Sequence, residues 1–195
     1  VSIMNDGAQN TKNGFVGQVL LAMPAMTDPR FERSVIYICA HNEDGAMGIV
    51  INKTLNSIDF RDLLEELDIP TDPTTRNITV HFGGPVENQR GFVLHSLDYE
   101  HAELLVVEGQ VGLSATLDIL RDLAQGSGPK HSILALGYAG WGPGQLEAEF
   151  QENAWLSVPA NETLLFDVPN DDKWERAFNS IGVDLSVLSS SSGRA

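Results

Sequence analysis

Cysteine occurs once, at Cys39, which excludes an intramolecular disulfide and points to a reducing, cytoplasmic setting. Basic residues are also scarce: 12 Lys and Arg stand against 27 Asp and Glu, a formal net charge of −15. Phosphate backbones are bound by Lys and Arg that displace counterions, so this balance argues against direct binding to nucleic acid. It argues equally against an anionic membrane surface. No run approaches the roughly 20 apolar residues that span a bilayer, and residues 1–14 lack the basic region and apolar stretch of a signal peptide. The five histidines, His41, His81, His95, His101 and His131, show no H-x-x-x-H pattern, and no C-x-x-C exists. Ligand spacing of that kind marks a metal site, so none is expected. Phosphate-loop and dinucleotide fingerprints are missing too, and no cofactor is expected.

What is present is 195 residues of ordinary globular composition, 42% hydrophobic, without an internal repeat or a dividing linker. The stretch from Ser34 to Lys53 places two apolar runs around Asp44-Gly45, a dipeptide suited to a tight hairpin turn. With those two residues as the loop, Cys39 faces Val50 and Tyr37 faces Asn52. Alternation then sorts the hairpin into two faces. Ile36, Ile38, Ala40, Met47, Ile49 and Ile51 form an apolar face expected in the core. Tyr37, Cys39, His41, Gly48, Val50 and Asn52 form a second face of small or polar groups, expected at a site.

Along the rest of the chain, strands are expected over 15–22, 77–82, 91–96, 103–107, 132–137 and 155–158. Four amphipathic helices alternate with them. Ser57 is read as the cap of the first, with Phe60, Leu63, Leu64 and Leu67 as its stripe. The second begins near Ser114 and ends at Gly126, a left-handed C-cap. Gln145 to Asn153 form the third, and the fourth is capped by Asn170 with Asp171 and Asp172 in its first turn. This pattern predicts an α+β fold: one compact domain with a mixed, largely antiparallel sheet or partly closed barrel and about four flanking helices. Residues 1–13 read as a polar lead-in, 14–184 as the domain, and 185–195 as a flexible tail.

Two chemistries compete. Cys39 and His41, at i and i+2 on a strand, would share a face and could pair as thiolate and base, with Glu149 as a supporting carboxylate. A buried structural cysteine beside a turn histidine is the commoner meaning. The alternative is a ligand cleft. The glycine groups Phe82-Gly83-Gly84-Pro85 and Gly137-Tyr-Ala-Gly140-Trp-Gly142-Pro-Gly144 each follow a strand, and the second is read as opening into a helix. Tyr37, His41, Asn42, Asn52, Gly83, Gly84, Trp141, Gln145 and Glu149 would line a cleft where these segments meet the polar hairpin face. Tight turning and close packing explain the same glycines as well.

Several long strings resemble one bacterial family. They are Leu21-Ala-Met-Pro-Ala-Met-Thr-Asp-Pro-Arg-Phe-Glu-Arg-Ser-Val-Ile-Tyr-Ile-Cys-Ala-His-Asn42, Gly45-Ala-Met-Gly-Ile-Val-Ile-Asn-Lys53, His81-Phe-Gly-Gly-Pro-Val86, Gly91-Phe-Val-Leu-His95, Gly137-Tyr-Ala-Gly-Trp-Gly-Pro-Gly-Gln-Leu-Glu147 and Asn153-Ala-Trp-Leu156. They resemble the YqgE/AlgH family over nearly the whole chain, from about Gly14 to Ile181. The resemblance implies a compact α+β domain in the cytoplasm, with no known cofactor and no established catalytic residue. Some members are labelled transcriptional regulators of alginate synthesis. The charge and the lack of a basic recognition helix make that role, for this chain, an indirect one. The expected function is a binding or regulatory protein acting through a small ligand or a protein partner. An enzyme using Cys39 and His41 with a carboxylate is the alternative.

Overall fold

Short apolar runs bounded by glycine and proline become nine strands in the computed structural model, which describes residues 14–100 and 103–187. The strands are β1 (Gln18–Ala22), β2 (Val35–Asn42), β3 (Gly45–Val50), β4 (Val80–Phe82), β5 (Val86–His95), β6 (Leu105–Val107), β7 (Val111–Ser114), β8 (Ser132–Trp141) and β9 (Trp155–Pro159). The helices are α1 (Phe60–Glu66), α2 (Leu117–Gln125), α3 (Gln145–Gln151) and α4 (Asn170–Ser180), with a π-helical turn at Thr163–Asp167. The expected lead-in over 1–13, His101, and the tail from residue 188 onward lie outside the described residues.

All nine strands join one sheet, in the order β6-β7-β5-β8-β3-β2-β1-β9, with β4 lying parallel beside β8. Every other strand pair is antiparallel. The sheet curls. Val107 and Val111 near one end and Val158 at the other end pack into the same apolar cluster, with Trp174 and Phe178 of α4. The expected α+β domain with a partly closed barrel is therefore the observed fold. Its convex side carries two further clusters. One packs α1 and α2 on β4, β5 and β8 through Phe60, Leu64, Ile119, Leu120, Val93 and Leu134. The other packs α3 on β1 and β2 through Leu146, Leu20, Ile36, Ile38, Trp141 and Trp155.

The hairpin differs from its expected register. Asn42 pairs with Gly45, so Glu43 and Asp44 form the loop, and a bulge interrupts β2 between Ile38 and Ala40. The Asn42 side chain accepts the Asp44 amide at 2.8 Å, a local turn bond that favours this loop. Gly45 belongs to β3, where a Cβ would lie 2.1 Å from the Trp141 carbonyl oxygen. Both hairpin faces are consequently core. Ile36, Ile38 and Val50 face the convex cluster, whereas Tyr37, Cys39, Ile49 and Ile51 face the concave one. There is no polar face at the centre of this hairpin.

Other boundaries also move for identifiable reasons. Asp59 rather than Ser57 caps α1, in a reciprocal capping box with Asp62. The glycine-rich stretch at Gly137–Trp141 continues β8 instead of forming a loop. Val111–Ser114, expected to lead into a helix, is a strand that pairs with both β5 and β6. Asn170 opens α4 but sends its side chain elsewhere, to Thr54 and His81.

Candidate functional site

The bulge in β2 decides the fate of the Cys39–His41 pair. It absorbs one residue, so the alternation of side chains is inverted beyond it. Cys39 points into the concave core, 4% exposed, and its Sγ reaches only the Tyr37 carbonyl at 3.8 Å. Burial pushes its thiol up to about 12. His41 pairs with Ala46, on the convex side. There its Nδ1 accepts the Phe15 amide at 3.0 Å, which leaves Nε2–H to donate to Glu147 at 2.5 Å. The imidazole also stacks on Phe15, which stacks in turn on Phe150. His41 thus ties the chain before β1 to helix α3.

Glu149 is also committed. Its Oε1 accepts the indole N–H of Trp141 at 3.2 Å and of Trp155 at 3.0 Å, and its Oε2 accepts the Gln145 amide at 3.1 Å. Gln145 turns its own oxygen to the Gly142 N–H. This cluster pins α3 to the sheet.

The remaining cleft candidates separate. Tyr37 is fully buried, and burial raises its phenol above the ordinary range. Asn52 bridges the Val35 amide and the Arg33 carbonyl. Gly83 is bonded on both sides, to Val50 and Leu136, and a Cβ on Gly84 would lie 2.0 Å from the Tyr138 carbonyl carbon. These glycines allow close approach of backbones. Asn42 and Trp141 meet at a common depression, a shallow groove of about 470 Å³ that also touches Asp44, Met47, Val86 and Tyr138.

A different place gathers more. Three cavities, of about 390, 290 and 470 Å³, are each lined by Phe166 of the π-helical turn. One lies at the open seam of the curled sheet, between Gln110 and Val111 on one side and Ala160 and Asn161 on the other. The second is bounded by Arg76, Lys130 and His131. The third runs beside His81, Asn170 and Lys173. The Phe166 ring stacks on His131, 5.7 Å between centroids. His131 also approaches Glu162 at 3.5 Å. Single π-helical turns of this type recur at functional positions because they offset side chains from the regular helical rows.

At the third cavity, Lys173 is 2% exposed and forms no ion pair among the described residues, although Asp167 lines the same cavity. Its Nζ donates to the carbonyls of Ile51 at 2.9 Å and Leu165 at 3.0 Å. Desolvation lowers its ammonium to about 8. Beside it, His81 Nδ1–H donates to the Leu134 carbonyl at 3.0 Å, and Nε2 accepts the Asn170 amide at 2.9 Å. Burial, with the Lys173 charge added, lowers the His81 pKa and keeps the ring neutral. The arrangement supplies a desolvated cation, hydrogen-bonding groups and an aromatic wall, the elements of a small-molecule site.

Sequence reading did not find this place. Lys173 left one trace: it lies four residues before Ala177, on the buried side of α4. A lysine on an apolar stripe is a signal in itself, because burying an ammonium is costly. Arg76, Lys130 and Phe166 carried no such mark. No helix among the described residues is long and apolar enough to cross a membrane, and no group of three or more His, Cys, Asp or Glu there could hold a metal ion.

Comparison with known proteins places this architecture. A family model described as AlgH-like matches residues 19–186. A UPF0301 protein of Afipia carboxidovorans is 53% identical over 92% of this chain and 89% of its own length. Another, from Cereibacter sphaeroides, is 52% identical over 92% of this chain and 98% of its own. The solution structure of the AlgH protein from Pseudomonas aeruginosa superposes with a TM-score of 0.76 at 41% identity, covering 89% of this chain and 92% of that one. A crystallised protein of Corynebacterium diphtheriae, 22% identical with a TM-score of 0.70, shares the fold over 93% of this chain and 95% of its own.

Proposed function

The chain belongs to the AlgH-like family, and from its geometry we propose that it is a binding or regulatory protein of the bacterial cytoplasm, which recognises a small ligand in the cavities around Phe166. One observation carries the reading: three cavities converge on a single aromatic side chain, beside a buried lysine that forms no ion pair among the described residues. A buried cation of that kind is expensive to maintain, and buried ionisable groups in clefts are enriched at functional sites. Regulation of transcription, the role attached to some family members, would then be indirect. A net charge of −15 opposes contact with DNA phosphates.

The enzyme alternative has weaker support. Its thiol is buried and held protonated, its imidazole lies across the sheet from that thiol, and Glu149 already accepts three donors. A small-molecule library screened by thermal shift, with amide shifts mapped by NMR, tests the proposal. Saturable shifts at His131, Phe166 and Lys173 are expected from a hit. Hits that perturb only other faces, or a mobility shift with a promoter fragment that weakens steeply with salt, would overturn it.

A further inference from the structure

Resting on the ligand-binding reading, we propose that Arg76 and Lys130 form an oxyanion seat, which holds the phosphate of a small phosphorylated ligand while its remainder lies against Phe166. The two cations line one cavity of about 290 Å³ with His131, Ser132, Gly126 and Phe166. They come from segments 54 residues apart, before β4 and before β8, that run side by side because those strands pair in parallel.

Lys53, Arg61 and Lys173 are bonded to backbone carbonyls, at Glu32, Thr75, and Ile51 with Leu165, whereas Arg76 and Lys130 line one cavity together. Arg30, Arg33, Arg90 and Arg121 each meet a carboxylate, at Asp28, Glu175, Glu87 and Asp118. Arg76 and Lys130 meet none among the described residues, on a chain where acids outnumber bases 27 to 12. The acids closest in bonding are already occupied. Asp98 accepts the Ser96 hydroxyl and the Lys130 backbone amide, Asp122 accepts the Tyr99 hydroxyl, and Glu162 faces His131. Arg76 is held in place from two sides: its amide donates to the Ala124 carbonyl at 3.2 Å, and its guanidinium lies over Gly126, where a Cβ would sit 2.9 Å from Nε. A planar fork beside a mobile ammonium is the pairing that suits a tetrahedral phosphate.

The seat is tested by titrating the full chain with inorganic phosphate, followed by amide NMR, against sodium chloride at matched ionic strength. Saturable shifts are expected at Arg76, Gly126, Gly128 and Lys130 to Ser132, with half-saturation on the order of millimolar. Arg76→Gln and Lys130→Gln each weaken the response about two- to fivefold, and the double variant about tenfold, in line with exposed charge contacts. Chloride reproducing the shifts, or saturation at other cations, would overturn the seat. So would a neutral library hit that moves Phe166 while phosphate leaves Arg76 and Lys130 unmoved, and in that case ligand binding itself stands. Phenyl phosphate separates the two claims further. Shifts extending to Phe166 and Lys173 support both, and shifts confined to the seat support the seat but count against the wider site.

Discussion

Cys39 and His41, two residues apart on one strand, face opposite sides of the sheet because a bulge between Ile38 and Ala40 absorbs a residue. The thiol therefore cannot use the His41 imidazole as its base. In the folded protein Cys39 will resist a thiol reagent at pH 8, and full labelling will appear only on unfolding. Burial that raises its pKa to about 12 leaves almost no thiolate at that pH. Rapid stoichiometric labelling of the native chain would show that the cysteine is reachable and reactive.

Glu149 is expected to act in stability. Glu149→Ala strands two indole N–H groups, those of Trp141 and Trp155, both in side chains less than 10% exposed. A loss of about 2–4 kcal/mol in denaturant unfolding is predicted, at about 1–2 kcal/mol for each stranded donor. Glu149→Gln keeps one oxygen for both indoles and should cost less than half as much. Equal losses for the two variants would mean that the carboxylate charge, rather than its acceptor geometry, matters.

Acid sensitivity should begin with two histidines. Burial lowers the pKa of His81 and of His95, the latter bonded to the Ser96 carbonyl and the Ser114 hydroxyl. Below about 6.5 the unfolded chain takes up protons that the folded chain refuses, so stability falls as pH drops. Melting temperatures between pH 7 and pH 5 will decline, and His81→Gln with His95→Gln will flatten that slope while lowering the plateau. An unchanged slope in the double variant would assign the sensitivity to other groups.

Lys173 predicts a slope of the same sign at higher pH. Its ammonium titrates near 8 in the folded protein and near 10.5 when unfolded, so the unfolded state binds more protons between these values. Stability should rise from pH 8 to pH 9, although the buried Cys39, whose thiol ionises near 9.0 when unfolded and near 12 when folded, offsets part of that rise. Lys173→Met removes the rise and leaves the Ile51 and Leu165 carbonyls without their donor, at about 1–3 kcal/mol. Urea unfolding of both proteins at pH 7.5 and 9 measures both effects. A rise that survives in the variant would locate its source elsewhere.

Local signals were enough for much of this protein. The stripe of Phe60, Leu63 and Leu64, the acids that open α4 and the apolar runs of β1, β2 and β8 each act within a few residues of themselves. Periodicity and turn chemistry are short-range, so they are legible in one sequence, and they specified the α+β class and its four helices. The family strings were equally direct.

The site was decided only by the folded chain. A bulge shifts one residue at little local cost but inverts every side chain beyond it, and nothing near Cys39 announces it. Arg76, Lys130, Phe166 and Lys173 come from four separate segments, brought around common cavities by the pairing of β4 with β8 and the curl of the sheet. Such proximity depends on long-range strand order, for which no single stretch of sequence carries a signal.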